Sequence, residues 1–306
     1  MSGSMIRLLG NRNVILVLAL SLGLFWGQGV EWTTMLVIPT LAFVMTLSTI
    51  GVDGSLFQTP SRWLKPAGIG VFMNYVVLGG LIIILSRFLP LKDSFRTGYI
   101  ILAAVPPAVG VIPFTSILDG DVEFTLIGCI TSYFAAFLFI PLMFSTFLGQ
   151  SLDVQSSLFT TLTQVVLIPL ILSRVLRFIK VVKYIEPVRG LLTNWSFFLI
   201  IYTVVAINRE ALTSDPLSLL PAIALTLTTS YLLGYIIERI GYMYSIERKR
   251  ITSLVLLGTS KNAGFGAGLA LSLFGKQTAI PITVQTVVML SYIIFLNLRK
   301  TTIVSN

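Results

Sequence analysis

With 306 residues, 55% of them hydrophobic and only 11% charged, and a mean hydropathy of +0.93, the chain is too apolar for a water-soluble domain, in which roughly 25% of residues carry charge. One cysteine, Cys129, and no histidine exclude an intrachain disulfide, a His/Cys zinc cage and a histidine proton relay. The net charge of +9 leaves nucleic acid as a partner only until the basic residues are placed against the apolar runs.

A helix needs about 20 apolar residues to cross roughly 30 Å of hydrocarbon. Ten runs meet that demand: 13–30, 33–50, 66–88, 97–118, 123–148, 156–176, 193–210, 217–238, 251–274 and 278–298. The basic segment Met1–Asn13 leads into the first run without an A-x-A-like cleavage site, so a retained first helix is expected, with no soluble domain appended. Several runs carry an internal proline or glycine, such as Pro141, Pro169 and Gly264, which membrane helices tolerate when neighbours satisfy the freed backbone groups. With the N-terminus inside, fifteen Lys/Arg, among them the clusters at 174–189 and 248–250, fall on the inner side. Five (Arg87, Lys92, Arg96, Arg209 and Lys276) fall outside. This asymmetry predicts a multi-pass protein of the inner (plasma) membrane with both termini cytoplasmic. Its basic clusters orient the chain and touch anionic lipid headgroups rather than nucleic acid.

The expected fold class is all-α integral membrane. A long basic loop, 174–190, is expected near the chain's midpoint, separating two five-helix halves, 1–150 and 151–306. An odd number of crossings places the second half upside down, the inverted-repeat geometry of many secondary transporters. In this arrangement the fourth and ninth spans correspond.

The fourth span reads VPPAVGVIPF at 105–114; Pro106, Pro107, Gly110 and Pro113 make a continuous helix untenable. An unwound crossover is expected there, although a proline kink would satisfy the same residues. The ninth reads GTSKNAGFGAG at 258–268, where Gly258, Gly264, Gly266 and Gly268 let backbones approach closely; for Gly264 and Gly268 small-residue helix packing accounts for the glycines as well as a functional role does. Between Gly258 and Gly264 lies the polar tract Thr259, Ser260, Lys261 and Asn262.

Lys261 is the one charge placed deep inside a span, at a cost of about 2.5–3.5 kcal/mol on insertion scales. It stands ten residues from both Ile251 and Leu271, roughly 15 Å along a helix, too far to snorkel. Within the runs glutamates occur only at the ends (Glu123, Glu210 and Glu238), and no aspartate or glutamate lies deep within a span to neutralise the ammonium, so its expected partner is the cargo: a small organic anion. The candidate substrate-binding set is Lys261, Asn262, Ser260, Thr259, Pro106, Pro107 and Val109, with Ser291 from the tenth span. No HExxH, G-x-S-x-G or P-loop motif is present, so no catalytic residue, enzyme activity or ATP-driven pumping is expected. A channel remains an alternative.

The stretches VIPTLAFVMTLSTIGVD (37–53), LKPAGIGVFMNY (64–75), VPPAVGVIPFTSILDGDVEFT (105–125) and GTSKNAGFGAGLALSLF (258–274) together resemble the bile acid:sodium symporter family, related to the auxin-efflux and arsenite-efflux carriers. The resemblance implies a panel domain (helices 1, 2, 6 and 7), a core domain (helices 3–5 and 8–10) with crossed discontinuous helices 4 and 9, and alternating access. It also exposes departures. The glutamate that ligates sodium in coupled members falls on Leu257 and the following glutamine on Lys261, while the asparagine is kept as Asn262. The serine–asparagine pair of the fourth helix falls on Val111 and Ile112, leaving Thr125 and Cys129 as residual ion-site positions. An ammonium among such donors repels a cation, so neither usual sodium site is expected to form. No cofactor or resident metal is expected.

The expected function is sodium-independent secondary transport of a small organic anion, with Lys261 replacing the cation as a fixed charge or as a proton carrier. The alternatives are a sodium- or proton-coupled symporter of another solute and an auxin-carrier-like efflux permease. A monomer or homodimer is expected.

Overall fold

The computed structural model describes residues 12–50, 60–108, 110–149, 160, 163–214 and 216–304. Among them the regular elements are helical: α1 (Arg12–Phe25), α2 (Val30–Thr49), α3 (Pro60–Val71), α4 (Gly80–Phe88), α5 (Asp93–Ala104), α6 (Val111–Ile117) and α7 (Val122–Leu148). After these come α8 (Ile168–Phe178), α9 (Val182–Ser214), α10 (Leu220–Leu227), α11 (Leu233–Met243), α12 (Arg248–Thr259), α13 (Ala263–Phe274) and α14 (Lys276–Val304). A π-helical segment, Phe72–Gly79, joins α3 to α4; Thr228–Leu232 likewise joins α10 to α11, and Thr163–Leu167 leads into α8. Among the described residues six stretches are long and apolar enough to cross a membrane: Val30–Leu47, Trp63–Phe88, Val122–Leu148, Val182–Glu210, Pro216–Met243 and Lys276–Lys300. Large apolar side chains stand outward on them, Phe88 being 84% exposed, as a surface solvated by lipid tails permits.

The chain divides into two units, 1–51 with 157–216 and 52–156 with 217–306. In the first, α9 packs along α1 and α2. A Cβ at Gly23 would come within 2.9 Å of the Tyr202 carbonyl oxygen, so glycine is what lets α1 approach α9. The Arg209 guanidinium donates to the Trp26 carbonyl at 2.8 Å and Tyr202 to the Gln28 carbonyl, both in the turn after α1, and Arg174 donates to the carbonyl of Thr49 at the end of α2.

The expected long loop at 174–190 is not one. Helix α8 runs to Phe178 and α9 starts at Val182. Lys180, at φ 59°, takes the left-handed position of a helix C-cap, with Val181 N–H bonded to the Leu176 carbonyl and Lys180 N–H to that of Arg177. Arg174, Arg177 and Arg189 are half-buried and Lys183 is exposed, all within helices, and charge alone does not break a helix.

In the second unit one order of elements occurs twice. A helix with a central π segment (α3–α4, then α10–α11) is followed by an interrupted helix (α5 and α6, then α12 and α13). Each half ends in a long proline-containing helix, α7 with Pro141 and α14 with Pro281. Close approaches hold these layers together: a Cβ at Gly70 would sit 2.3 Å from Gly128 Cα where α3 crosses α7, and one at Gly98 would sit 2.3 Å from the Thr278 carbonyl oxygen where α5 meets α14.

Candidate functional site

Helix α5 ends at Ala104 because the residues that should donate the next hydrogen bonds are prolines. In a continuous helix the Leu102 and Ala103 carbonyls would accept from the N–H groups of residues 106 and 107, and Pro106 and Pro107 have none. Helix α12 ends at Thr259, and α13 restarts at Ala263 with Asn262 as its N-cap, the Asn262 Oδ1 accepting from Phe265 N–H at 3.0 Å. The two non-helical segments meet. Pro107 and Lys261 form an isolated antiparallel bridge, and the Asn262 N–H donates to the Pro106 carbonyl at 2.8 Å. The sequence expectation of an unwound fourth span, rather than a mere kink, agrees with this geometry.

Among the described residues Lys261 is the one charged side chain that is buried, with 0% of its surface exposed. Its ammonium has three donors, and three oxygens receive them: Asn74 Oδ1 at 2.8 Å, the Ala103 carbonyl at 2.7 Å and the Val105 carbonyl at 2.9 Å. The Ala103 carbonyl is one that the prolines left without a helical partner. The ammonium thus lies at the C-terminal, negative end of the α5 dipole and 4.6 Å from the centroid of the Tyr75 ring. No carboxylate bonds to it among the described residues. Dipoles and a π face stand where a salt bridge would otherwise be needed.

Further contacts fix this arrangement. The Tyr133 hydroxyl donates to the Pro107 carbonyl at 2.9 Å and accepts from Asn262 Nδ2 at 3.2 Å, so one α7 side chain ties both interruptions together. Tyr75 donates to the Ser132 carbonyl at 2.9 Å and stacks on Phe139. The extra backbone residue of the π segment accompanies the placement of Asn74 and Tyr75 beside the ammonium, in keeping with the frequency of π-bulges at functional positions. A Cβ at Gly79 would lie 3.1 Å from the Ala103 oxygen and 3.7 Å from Lys261 Nζ, so glycine leaves the lysine its room.

The bridge brings Lys261, Asn262, Ser260, Pro106 and Pro107 together. The Ser260 hydroxyl is buried and finds no hydrogen-bond partner, whereas the Thr259 hydroxyl back-bonds to the Val255 carbonyl at 2.7 Å. Gly110 is the N-cap of α6 and Pro113 lies inside that helix; Val109 lies outside the described residues. Gly258 is a packing position, where a Cβ would come within 2.7 Å of Ile237 and of Met73; Gly264 is the second residue of α13. Thr125 accepts from Thr115 at 3.2 Å, and Cys129 is a buried free thiol one turn further along α7. Ser291 is not at the bridge contacts: it is exposed and hydrogen-bonded to the Tyr231 hydroxyl at 3.0 Å. Sequence reasoning missed Asn74, Tyr75 and Tyr133. Asn74 left a signal, as the one amide side chain in the apolar run 66–88.

The rice (Oryza sativa subsp. japonica) protein named "Probable sodium/metabolite cotransporter BASS1, chloroplastic" is 26% identical over 249 residues, covering 79% of this chain and 60% of its own length. Arabidopsis thaliana "Probable sodium/metabolite cotransporter BASS3, chloroplastic" is 25% identical over 256 residues, 82% of this chain and 59% of that protein. The Bacillus subtilis (strain 168) "Uncharacterized sodium-dependent transporter YocS" is 26% identical over 222 residues, 72% of this chain and 68% of that protein. The chain therefore spans about three fifths of the length of the two plant relatives, and all three are named as transporters, none as an enzyme. The sequence profile of the sodium bile acid symporter family matches residues 38–215, more than half of the chain. Sharing both that profile and the motifs read above, the chain belongs to the sodium bile acid symporter family.

Proposed function

We propose that the chain is a sodium-independent secondary transporter that moves a small organic anion across the plasma membrane by alternating access, the Lys261 ammonium acting in place of a coupling cation. The observation that carries this reading is the fully buried ammonium held by three protein oxygens at the junction of two interrupted helices, with no carboxylate bonded to it among the described residues. Charge transferred out of water without a counter-charge raises the positive potential around it, and a negatively charged guest lowers that energy. The guest does not need the ammonium's protons, which are already taken. It can use the unpartnered Ser260 hydroxyl and the N-terminal end of α13.

Three acceptors for three N–H groups favour the fixed charge over the proton carrier, since a neutral amine would leave one oxygen without a donor. The sodium-coupled alternative is favoured by the names of the relatives. Against it stand Leu257, an apolar side chain buried in α12, and the ammonium itself among the oxygens a cation would need. Counting Arg12–Phe25, the segment 163–178 and the two interrupted helices as crossings brings the six long spans to ten. The doubled order of elements supports the inverted repeat. On this reading the first unit is the panel and the second the core, both termini are cytoplasmic, and the protein acts as a monomer or homodimer.

Uptake of a panel of labelled organic anions into proteoliposomes, under separately imposed sodium and pH gradients, tests the proposal. Saturable uptake and counterflow with neither gradient are expected. Uptake that requires sodium overturns it, and uptake driven by pH alone replaces the fixed charge with a proton carrier.

A further inference from the structure

A cavity of about 270 Å³ opens where the ends of α6, α11, α12 and α14 converge in the second unit, away from the bridge residues. Its lining has two characters. Ile251 and Val255, one turn apart on α12, form an apolar wall with Leu296 of α14. Arg248, Thr252 and Lys300 form a polar rim.

Most of the charge in this region is already matched. Arg299 donates to both carboxylate oxygens of Glu238, at 2.8 and 2.5 Å, and Lys300 donates to Asp119 at 2.6 Å and to the Ile117 carbonyl at 2.7 Å. Arg248 differs. It is exposed, stands in the first turn of α12, and makes no ion pair among the described residues. The side chain of the preceding Glu247 does not cap α12, so the positive end of that helix dipole adds to the guanidinium. A planar guanidinium beside free helix-terminal amides matches a phosphate.

The apolar wall decides which phosphate. A free, fully hydrated anion gains nothing from Ile251 and Val255, whereas a phospholipid places glycerol and acyl carbons there. The surroundings agree: Tyr242, Met243 and Tyr244 at the end of α11 are 50%, 80% and 77% exposed, aromatic and apolar side chains of the kind that stand at the membrane–water interface. We propose that this cavity is a binding site for an anionic phospholipid, its phosphate held by the Arg248 guanidinium at the N-terminal end of α12 and its glycerol end packed against Ile251 and Val255.

The test uses the full chain, delipidated in detergent, with add-back of phosphatidylglycerol or phosphatidylcholine and readout of bound lipid by native mass spectrometry. Phosphatidylglycerol is expected to bind the wild type and Lys249→Gln, a neighbour outside the cavity lining, about equally, and to bind Arg248→Gln about tenfold more weakly. Phosphatidylcholine is expected to bind poorly to all three. Equal phosphatidylglycerol binding by wild type and Arg248→Gln overturns the assignment, as does equal binding of the two lipids. Competition on the wild type, which is independent of any variant's folding, separates the sources of phosphate: displacement of the lipid by millimolar inorganic phosphate makes the ion the ligand and overturns the lipid.

Discussion

At 105–110 the helix stops because two prolines remove donors; at 260–262 it stops because side chains offer the backbone other partners. The first interruption leaves the Leu102 and Ala103 carbonyls without helical donors. The second supplies what the first lacks, with the Lys261 ammonium for Ala103 and Val105 and the Asn262 amide N–H for Pro106. Neither break can be buried in a membrane alone, since unsatisfied backbone groups away from water cost several kcal/mol each. Facing each other, they are nearly self-sufficient. An interrupted span is therefore stable here only as half of a pair, and on the proposed function the charge that completes the pair is the one that attracts the anion.

The largest effect should come from taking away the donors. Lys261→Met leaves Asn74 Oδ1 and two carbonyls without partners, and each buried acceptor so stranded costs about 1–3 kcal/mol. A loss of about 3–5 kcal/mol is expected, read as a steep fall in Tm in detergent. Lys261→Gln returns two neutral donors; it should recover part of the Tm while anion binding, followed by thermal shift, stays lost. A Lys261→Met protein as stable as wild type would break the complementarity of the two interruptions.

How much of this was legible in the sequence depended on whether a residue's neighbours in sequence were also its partners in space. The interruptions were legible, because Pro106 and Pro107 delete helical hydrogen bonds locally, and Lys261 was legible because its distance from either span end follows from helix rise alone. Its partner was not. Reasoning from carboxylates found none deep within a span and left the ammonium to the cargo, whereas an amide 187 residues away and two backbone carbonyls hold it. Backbone acceptors have no sequence signature, and a π segment that carries Asn74 looks like any other apolar stretch. Ser291, polar and in a span, was read toward the site and is bonded to Tyr231 instead. The 174–190 segment, basic and largely between two apolar runs, has the composition of a loop and is mostly helix.

A middle-sized effect should follow from the residue that serves both interruptions. Asn262→Ala removes the cap of α13 and the donor to Tyr133, a loss of about 1–2 kcal/mol. Asn262→Ser keeps an uncharged cap acceptor and is too short to replace the amide donor to Tyr133, so its Tm should fall between those of wild type and Asn262→Ala. Equal falls for the two would place the whole effect in the Tyr133 contact.

The smallest effect should come from giving back a donor where the sequence removed one. Pro107→Ala restores an N–H that could bond the Ala103 carbonyl and extend α5, in competition with Lys261. It leaves Pro106 in place, and the other contacts of the segment, from Tyr133 to the Pro107 carbonyl and from Asn262 to the Pro106 carbonyl, use oxygens that the substitution does not touch. A shift within about 1 kcal/mol is expected, because the Ala103 carbonyl keeps a hydrogen bond whichever donor it takes, which leaves the extra freedom of the unfolded backbone at a former proline, about 0.4–1 kcal/mol, as the net cost. The informative measurement is hydrogen exchange at the new amide. Fast exchange means that the ammonium keeps its carbonyl and that the ninth span holds the fourth open; slow exchange means that the prolines alone had kept the helix from closing, and that Lys261 occupies a gap it does not make.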